Sequence, residues 1–215
     1  MTWPPSDFGE PCEHCVGIIQ SRVSANSFDP SRNLSDNEIA ELIELATYAP
    51  TAFNAQNWRF IAVRSAEAKE RLLPMAYGQQ KVANSSVTFI VCGTMNIHLS
   101  VPTSLKPSVE AGIISQEIYE GWVGASRNMY QDNSTFQRDE AIRSATFAGM
   151  SLMLAAQGLG LVSGPMIGFD PVAVSKAFGL AETDIPVMLI SVGYPGTENW
   201  PQKPRKAVSE VLTLA

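Results

Sequence analysis

The sequence predicts an α+β fold, a layered sheet flanked by helices. Three observations support this. Helix-like and strand-like runs alternate along the chain, the strand-like runs are short and continuously apolar, and the longest helical run crowds apolar residues onto several faces. With 215 residues, 45% of them hydrophobic and 17% charged, the chain is large enough to bury a core of its own.

Each element has a local signature. Ser35-Asp36-Asn37-Glu38 has the form of a capping box, and Ile39, Leu42, Ile43 and Ala46 follow at helical spacing, which predicts a helix ending near Ala49-Pro50. Trp58–Val63 reads as a strand and Ala66–Met75 as the helix after it; residues 88–92 form a second, fully apolar strand. Between residues 102 and 133, Pro102, Pro107, Gly112, Gly121 and Gly124 break the pattern, so an irregular helical segment is expected. Residues 138–157 form the longest helix, closed by Gly158-Leu159-Gly160. Asp170 then caps a helix whose first position is Pro171 and which runs to about Phe178. Residues 185–192 are a buried strand, and a tail carrying Lys203, Arg205 and Lys206 precedes the apolar Val208, Val211 and Leu212.

Composition excludes several functions. A net charge of −6 and a pI near 5.0 argue against a nucleic-acid partner, because phosphate backbones demand a basic surface. The N-terminus lacks a basic region followed by an apolar one, and the apolar run at 147–156 is too short to span a bilayer. A soluble cytoplasmic protein with no membrane partner is expected. Templates of the form GxGxxG after a strand, GxxxxGK[ST], HExxH and GxSxG are absent. Cys12-Glu13-His14-Cys15 has the CxxC spacing of zinc and redox sites, but no second CxxC follows, and His14 and His98 are the only imidazoles. Two thiols in an N-terminal arm, without a metal, are the expectation. Cys92 should pack as a small apolar residue. Carboxylates such as Glu38 and Glu41 fall on a solvated helix face, so no catalytic side chain is nominated.

The unusual stretch is Tyr48–Phe60, a connection that holds Thr51, Asn54, Gln56, Asn57 and Arg59 together with Phe53 and Trp58. Alone it would be a self-satisfied turn. It stands in an ordered series: Ser21-Arg22-Val23-Ser24-Ala25-Asn26-Ser27-Phe28, then Ala49-Pro50-Thr51-Ala52-Phe53-Asn54-Ala55-Gln56-Asn57-Trp58, then Tyr77-Gly78-Gln79-Gln80-Lys81-Val82, Pro165-Met166-Ile167-Gly168-Phe169 and Lys203-Pro204-Arg205. From about Gly17 to Leu212 this order resembles the FMN-dependent nitroreductase family.

The resemblance implies a nitroreductase-like, dimeric fold with a 1–16 arm and a single FMN-binding domain at 17–215. It assigns Arg22, Ser24, Lys203 and Arg205 to the FMN phosphate, in keeping with arginine's planar donor fork. It places Pro50, Thr51, Ala52 and Asn54 at the flavin and at the subunit contact, with Trp58 anchoring the following strand in the core. Val23, Asn26, Gln79, Gln80, Pro165, Met166, Ile167 and Gly168 complete the implied cofactor set. The implied activity is a two-step transfer in which NAD(P)H reduces FMN and a small organic acceptor, such as a nitroaromatic or quinone, is then reduced. Three positions depart from the family pattern: Asn26 where relatives carry a basic residue at the pyrimidine side of the flavin, Ile167 where they carry glutamate, and Asn57 where they carry proline. Residues 102–137, with Tyr119, Trp122, Met129, Tyr130 and Phe136, either cover the pocket or pack as ordinary core. Two alternatives stand beside this reading: a flavin-sequestering protein with little turnover, and an α/β binding module without flavin.

Overall fold

A computed structural model describes residues 13–215. Cys12, and with it the CxxC motif as a pair, lies outside the described residues. Helix α1 spans Glu13–Ser21.

The capping box at Ser35 forms as the sequence predicts: Ser35 Oγ accepts the Glu38 amide at 3.3 Å, and Glu38 Oε2 accepts the Ser35 amide at 2.7 Å. It opens α2, Asp36–Ala46, which buries Ile39, Leu42 and Ala46. Strand β1 (Trp58–Val63) and helix α3 (Ala66–Met75) follow, then a short α4 (Lys81–Asn84) and strand β2 (Val87–Thr94). Strand β3 is Val162–Met166 and β4 is Asp184–Gly193. The four pair in the order β1-β2-β4-β3, every pairing antiparallel. The register sets Trp58 opposite Gly93, Val87 opposite Val192 and Met166 opposite Leu189. Pro186, which has no amide to give a ladder, falls where the β2–β4 register slips between Val91 and Cys92.

Both faces of the sheet are covered. Phe89 and Val91 of β2 pack with Leu42, Leu152 and Ile190 on one face, whereas Ile90 and Cys92 pack with Leu72, Val82, Val174 and Leu189 on the other. Strict alternation along a strand buried on both faces explains its unbroken apolar run Phe89–Cys92. Cys92 is fully buried, and desolvation, helped by the nearby Asp184 carboxylate, pushes its thiol up to about 12. It is a core residue, as expected.

Two expectations are corrected. Residues 102–133 are not irregular: α5 (Ile97–Glu110) contains Pro102 and Pro107 within its length, and α6 is Gln116–Tyr130. Each internal proline forfeits one helical hydrogen bond. Ile97, Val101, Leu105, Val123 and Tyr130 form a third apolar cluster that holds both helices regardless. Strand β3 is unpredicted by the strand rules because Gly164 and Pro165 interrupt it; at the edge of a sheet both are tolerated. The long helix α7 spans Ser134–Gly158, beginning earlier than its apolar run because Asn133 caps it, accepting the Phe136 amide at 3.1 Å. Helix α8, Pro171–Ala177, is capped by Asp170 as expected. Among the described residues no helix is long and apolar enough to cross a membrane.

Glycine is required at one helix–sheet contact. A Cβ on Gly93 of β2 would collide with the backbone of Ala141 in α7. Only the missing side chain lets helix and strand approach so closely.

Candidate functional site

Residues 22–28 form an extended ribbon along the free edge of β3. Ser24 bridges Ser163 in parallel, Phe28 bridges Pro195 antiparallel, and the Ala25 amide donates to Ser163 O at 2.9 Å. Ala25 is fully buried while Ser24 and Asn26 are exposed. Gly164 makes the contact possible, since a Cβ there would strike the Ala25 carbonyl.

Two further segments converge on this edge. The chain leaving β3 turns outward at Ile167, which is 84% exposed, and Gln79 Nε2 donates to Gly168 O at 2.7 Å. Gln80, exposed at the start of α4, donates to Gly78 O at 3.3 Å. Lys81 lies alongside, its Cδ 3.4 Å from where a Gly164 Cβ would sit. Burial strips water from Lys81 and holds its ammonium below its ordinary pKa. From the other side, the C-terminal tail returns: Gln202 Nε2 donates to Arg22 O at 2.9 Å, and Arg205 donates to Gln202 Oε1 at 2.8 Å and to Lys203 O at 3.3 Å. Lys203 Nζ stands 5.1 Å from the centre of the Trp200 ring.

Gln202 thus ties Arg205 to the Arg22 backbone, with Lys203 next to it in the same tail. Sequence reasoning missed Gln202 and Lys81 as site residues. A glutamine in a polar tail has no spacing signal, and Lys81 stood inside a quoted motif without being selected. Among the described residues none of Arg22, Lys81, Lys203 and Arg205 forms an ion pair. Arg22 Nη1 and Ser163 Oγ are buried without a hydrogen-bond partner. Buried donors of this kind are ordinarily paired, so a cationic edge with two orphaned polar atoms fits a polar, anionic ligand such as a flavin phosphate.

The loop at 50–57 lies elsewhere. It makes a single 3₁₀ turn, Ala52–Asn54, with Phe53, Asn54 and Gln56 all in the left-handed region at φ 54°, 51° and 50°. Thr51 Oγ1 accepts the Gln56 amide at 3.0 Å. The Phe53 ring stands edge-on to Trp122 and Tyr130, with centroids 6.3 and 6.5 Å apart. This loop enters β1, whose first residue faces Gly93, whereas the Arg22 ribbon flanks Ser163, which faces Val192 and through it Val87. The two groups occupy diagonally opposite corners of the sheet, separated by three strand spacings, roughly 14 Å across the ladder alone. Pro50, Thr51, Ala52 and Asn54 are not brought to the Arg22 edge within one chain.

Two side-chain expectations change. Trp58 is only partly buried; the residue that anchors the strand is Asn57, 2% exposed, donating to Thr94 O at 3.1 Å and accepting the Thr94 amide at 2.8 Å. Met166 points into the second core cluster, so only its backbone is available at the edge. In the 102–137 region, Tyr130 is buried, stacks on Phe136 at 5.0 Å and donates to Glu140 at 3.2 Å, whereas Trp122 and Met129 remain exposed. Burial first, and the Glu140 charge second, push the Tyr130 phenol up to about 12.

Known proteins share this arrangement. The family model described as the nitroreductase family matches residues 19–194. YodC of Bacillus subtilis, named as an NAD(P)H nitroreductase, is 34% identical over 178 residues, 83% of this chain and 88% of that one. The crystal structure of the nitroreductase ydfN from Bacillus subtilis superimposes with a TM-score of 0.89 at 30% identity, covering 95% of this chain and 100% of the other. A nitroreductase structure from Exiguobacterium sibiricum, solved in complex with FMN, gives a TM-score of 0.87 at 28% identity over the whole of both chains. With its sequence matched from the Arg22 ribbon to the end of β4 and its fold matched throughout, this chain belongs to the nitroreductase family.

Proposed function

We propose that this protein is an NAD(P)H-dependent oxidoreductase that holds FMN at the Arg22 edge and reduces a small organic acceptor such as a nitroaromatic or a quinone. The observation that carries it is the orphaned Arg22 guanidinium, whose buried Nη1 lacks a partner beside the tail bearing Lys203 and Arg205. Support also comes from the FMN held by the Exiguobacterium relative. When bound, FMN would supply the redox chemistry, as a two-electron carrier between NAD(P)H and the acceptor.

The chain's own residues bind and orient. Arg22, Ser24, Lys203 and Arg205 hold the phosphate through charge-assisted bonds. Gln79, Gln80, Val23 and the backbone of Pro165, Met166, Ile167 and Gly168 would border the ring, and Asn26 would meet its pyrimidine edge. Lys81, half-buried next to Gly164, adds a cation there. Pro50, Thr51, Ala52 and Asn54 serve the site from a second copy of the chain, which their placement at the opposite corner of the sheet supports. The exposed Val208, Val211, Leu212 and Leu214 give the tail apolar surface for such a homodimer. The cofactor unit is the single domain 17–215 following the 1–16 arm, acting in the cytoplasm on its nicotinamide pool.

Purified protein loaded with FMN tests this reading through its visible spectrum and its steady-state kinetics. A bound-flavin spectrum, NAD(P)H oxidation that depends on the acceptor, and parallel double-reciprocal lines are expected. Failure to retain flavin would sink the cofactor assignment; retained flavin without turnover would leave a flavin carrier in place of an enzyme.

A further inference from the structure

The ribbon that presents Arg22, Ser24 and Asn26 is anchored on β3 at one end, through Ser24 and Ala25, and on Pro195 at the other, through Phe28. Between these anchors its backbone has a different partner. Asn199 Oδ1 accepts both the Asn26 amide at 2.9 Å and the Ser27 amide at 3.0 Å, and Asn199 Nδ2 donates to Ser27 O at 2.8 Å. The same carbonyl receives the Gly196 amide at 3.1 Å. One half-buried side chain therefore satisfies three backbone groups on the stretch that sets the direction of the Asn26 side chain. Asn199 also stands three residues before Gln202, whose amide joins the ribbon to Arg205. A cavity of about 520 Å³ lined by Asn26, Ser27, Glu198, Asn199 and Trp200 opens beside the clamp.

We propose that Asn199 is a positioning residue: its amide locks the 24–28 ribbon to the chain leaving β4, and so fixes both where Asn26 meets the flavin and where the basic tail starts. This rests on the FMN reading above, and goes beyond it in assigning the orientation of the pyrimidine-side residue to a side chain whose three hydrogen bonds all go to the ribbon backbone. Asparagine suits the role because it offers an acceptor and a donor side by side. Aspartate keeps the oxygen that receives the two amides but sets a second oxygen against Ser27 O. Alanine removes all three bonds.

The test has two arms. In protein stripped of flavin, amide hydrogen exchange at residues 26 and 27 should speed up at least tenfold in Asn199→Ala, whereas Asn199→Asp should retain most of the protection. Unchanged exchange in Asn199→Ala would overturn the clamp. In FMN-loaded protein, the rise in flavin potential produced by Asn26→Lys should fall to less than half its size when Asn199→Ala is added. An equal rise in both backgrounds would overturn the positioning role even if exchange had changed. Should Asn199→Ala fail to fold, Asn199→Asp is the deciding variant: slow exchange with the coupling retained is expected, and either full coupling with fast exchange at both amides or lost coupling with slow exchange sinks the proposal. A native protein that binds no FMN would instead bring down the cofactor reading, and this inference with it, while the exchange arm would still report whether the clamp exists.

Discussion

The side-chain amide of Gln79 donates to the carbonyl of Gly168 at 2.7 Å, joining the turn before α4 to the loop after β3. These segments lie 89 residues apart in sequence, and this bond fixes how the exposed Ile167-Gly168 backbone faces the Arg22 edge. Gln79→Ala should weaken FMN binding two- to tenfold, corresponding to a net loss of ~0.5–1.5 kcal/mol for one neutral hydrogen bond. Gly168 is exposed and water can satisfy its carbonyl, so the melting temperature of the flavin-free protein should hardly move. Fluorescence titration of FMN checks the first expectation, and equal affinities would remove the Gln79 bond from the site.

Arg205 reaches the ribbon through Gln202. Loss of its charge-assisted contact with a phosphate costs at most ~1.5–3 kcal/mol, so Arg205→Ala should weaken FMN binding by roughly ten- to a hundredfold. Riboflavin, which has no phosphate, should bind wild type and variant alike. A matching loss for riboflavin would show that the mutation damages the ring pocket.

Lys81 carries a signed prediction. Its pKa in the folded protein is lowered from 10.5 by desolvation alone. Below that lowered value the ammonium is charged in folded and unfolded chains alike, so the penalty of burying it is fully present. The penalty lifts as pH rises through the lowered folded value toward 10.5. Lys81→Met should therefore stabilise the flavin-free protein at pH 7 while weakening FMN binding. Thermal melts with and without FMN read both effects, and a variant destabilised in both conditions would contradict the sign.

Asn26 offers the flavin a dipole where a cation would better stabilise the charge gained on reduction. Asn26→Lys should raise the two-electron potential by about 30–65 mV as an upper range, which solvent screening will reduce, from a charge-assisted bond of ~1.5–3 kcal/mol. Spectroelectrochemical titration at one pH measures this. An unchanged or lower potential at full FMN occupancy would mean that residue 26 does not face the reducible ring.

Much of this was legible in the sequence because local physics wrote it there. The capping box at Ser35, the Asp170-Pro171 start of α8 and the two-faced burial of β2 each follow from a short run of residues. Long-range packing was not. Pro102 and Pro107 argued for a broken segment, and only the apolar cluster around Val101, Leu105 and Tyr130 keeps α5 regular. Strand β3 was hidden because Gly164 and Pro165 read as breakers, although an edge position tolerates both. At the site, Gln202 and Asn199, which tie the tail and the chain after β4 to the ribbon, are ordinary polar residues whose significance lies in partners 172 to 180 positions away.

A homodimer is expected in solution, with each cofactor bordered by the Arg22 edge of one copy and the Pro50–Asn54 loop of the other. Light scattering during size exclusion checks it. A monomer that still holds FMN tightly would contradict it.

If two copies close the site as proposed, the diagonal separation of these two corners also sets how the protein behaves on dilution. A site closed by two copies is lost whenever the copies part, so mass action couples flavin loading to protein concentration. Apparent FMN affinity should be constant at high protein concentration and fall progressively below the dimer dissociation constant, and excess FMN should shift that constant downward in return. Assays at nanomolar enzyme would then lose specific activity through emptying of the site, and added free FMN, with no change in the protein, would restore it.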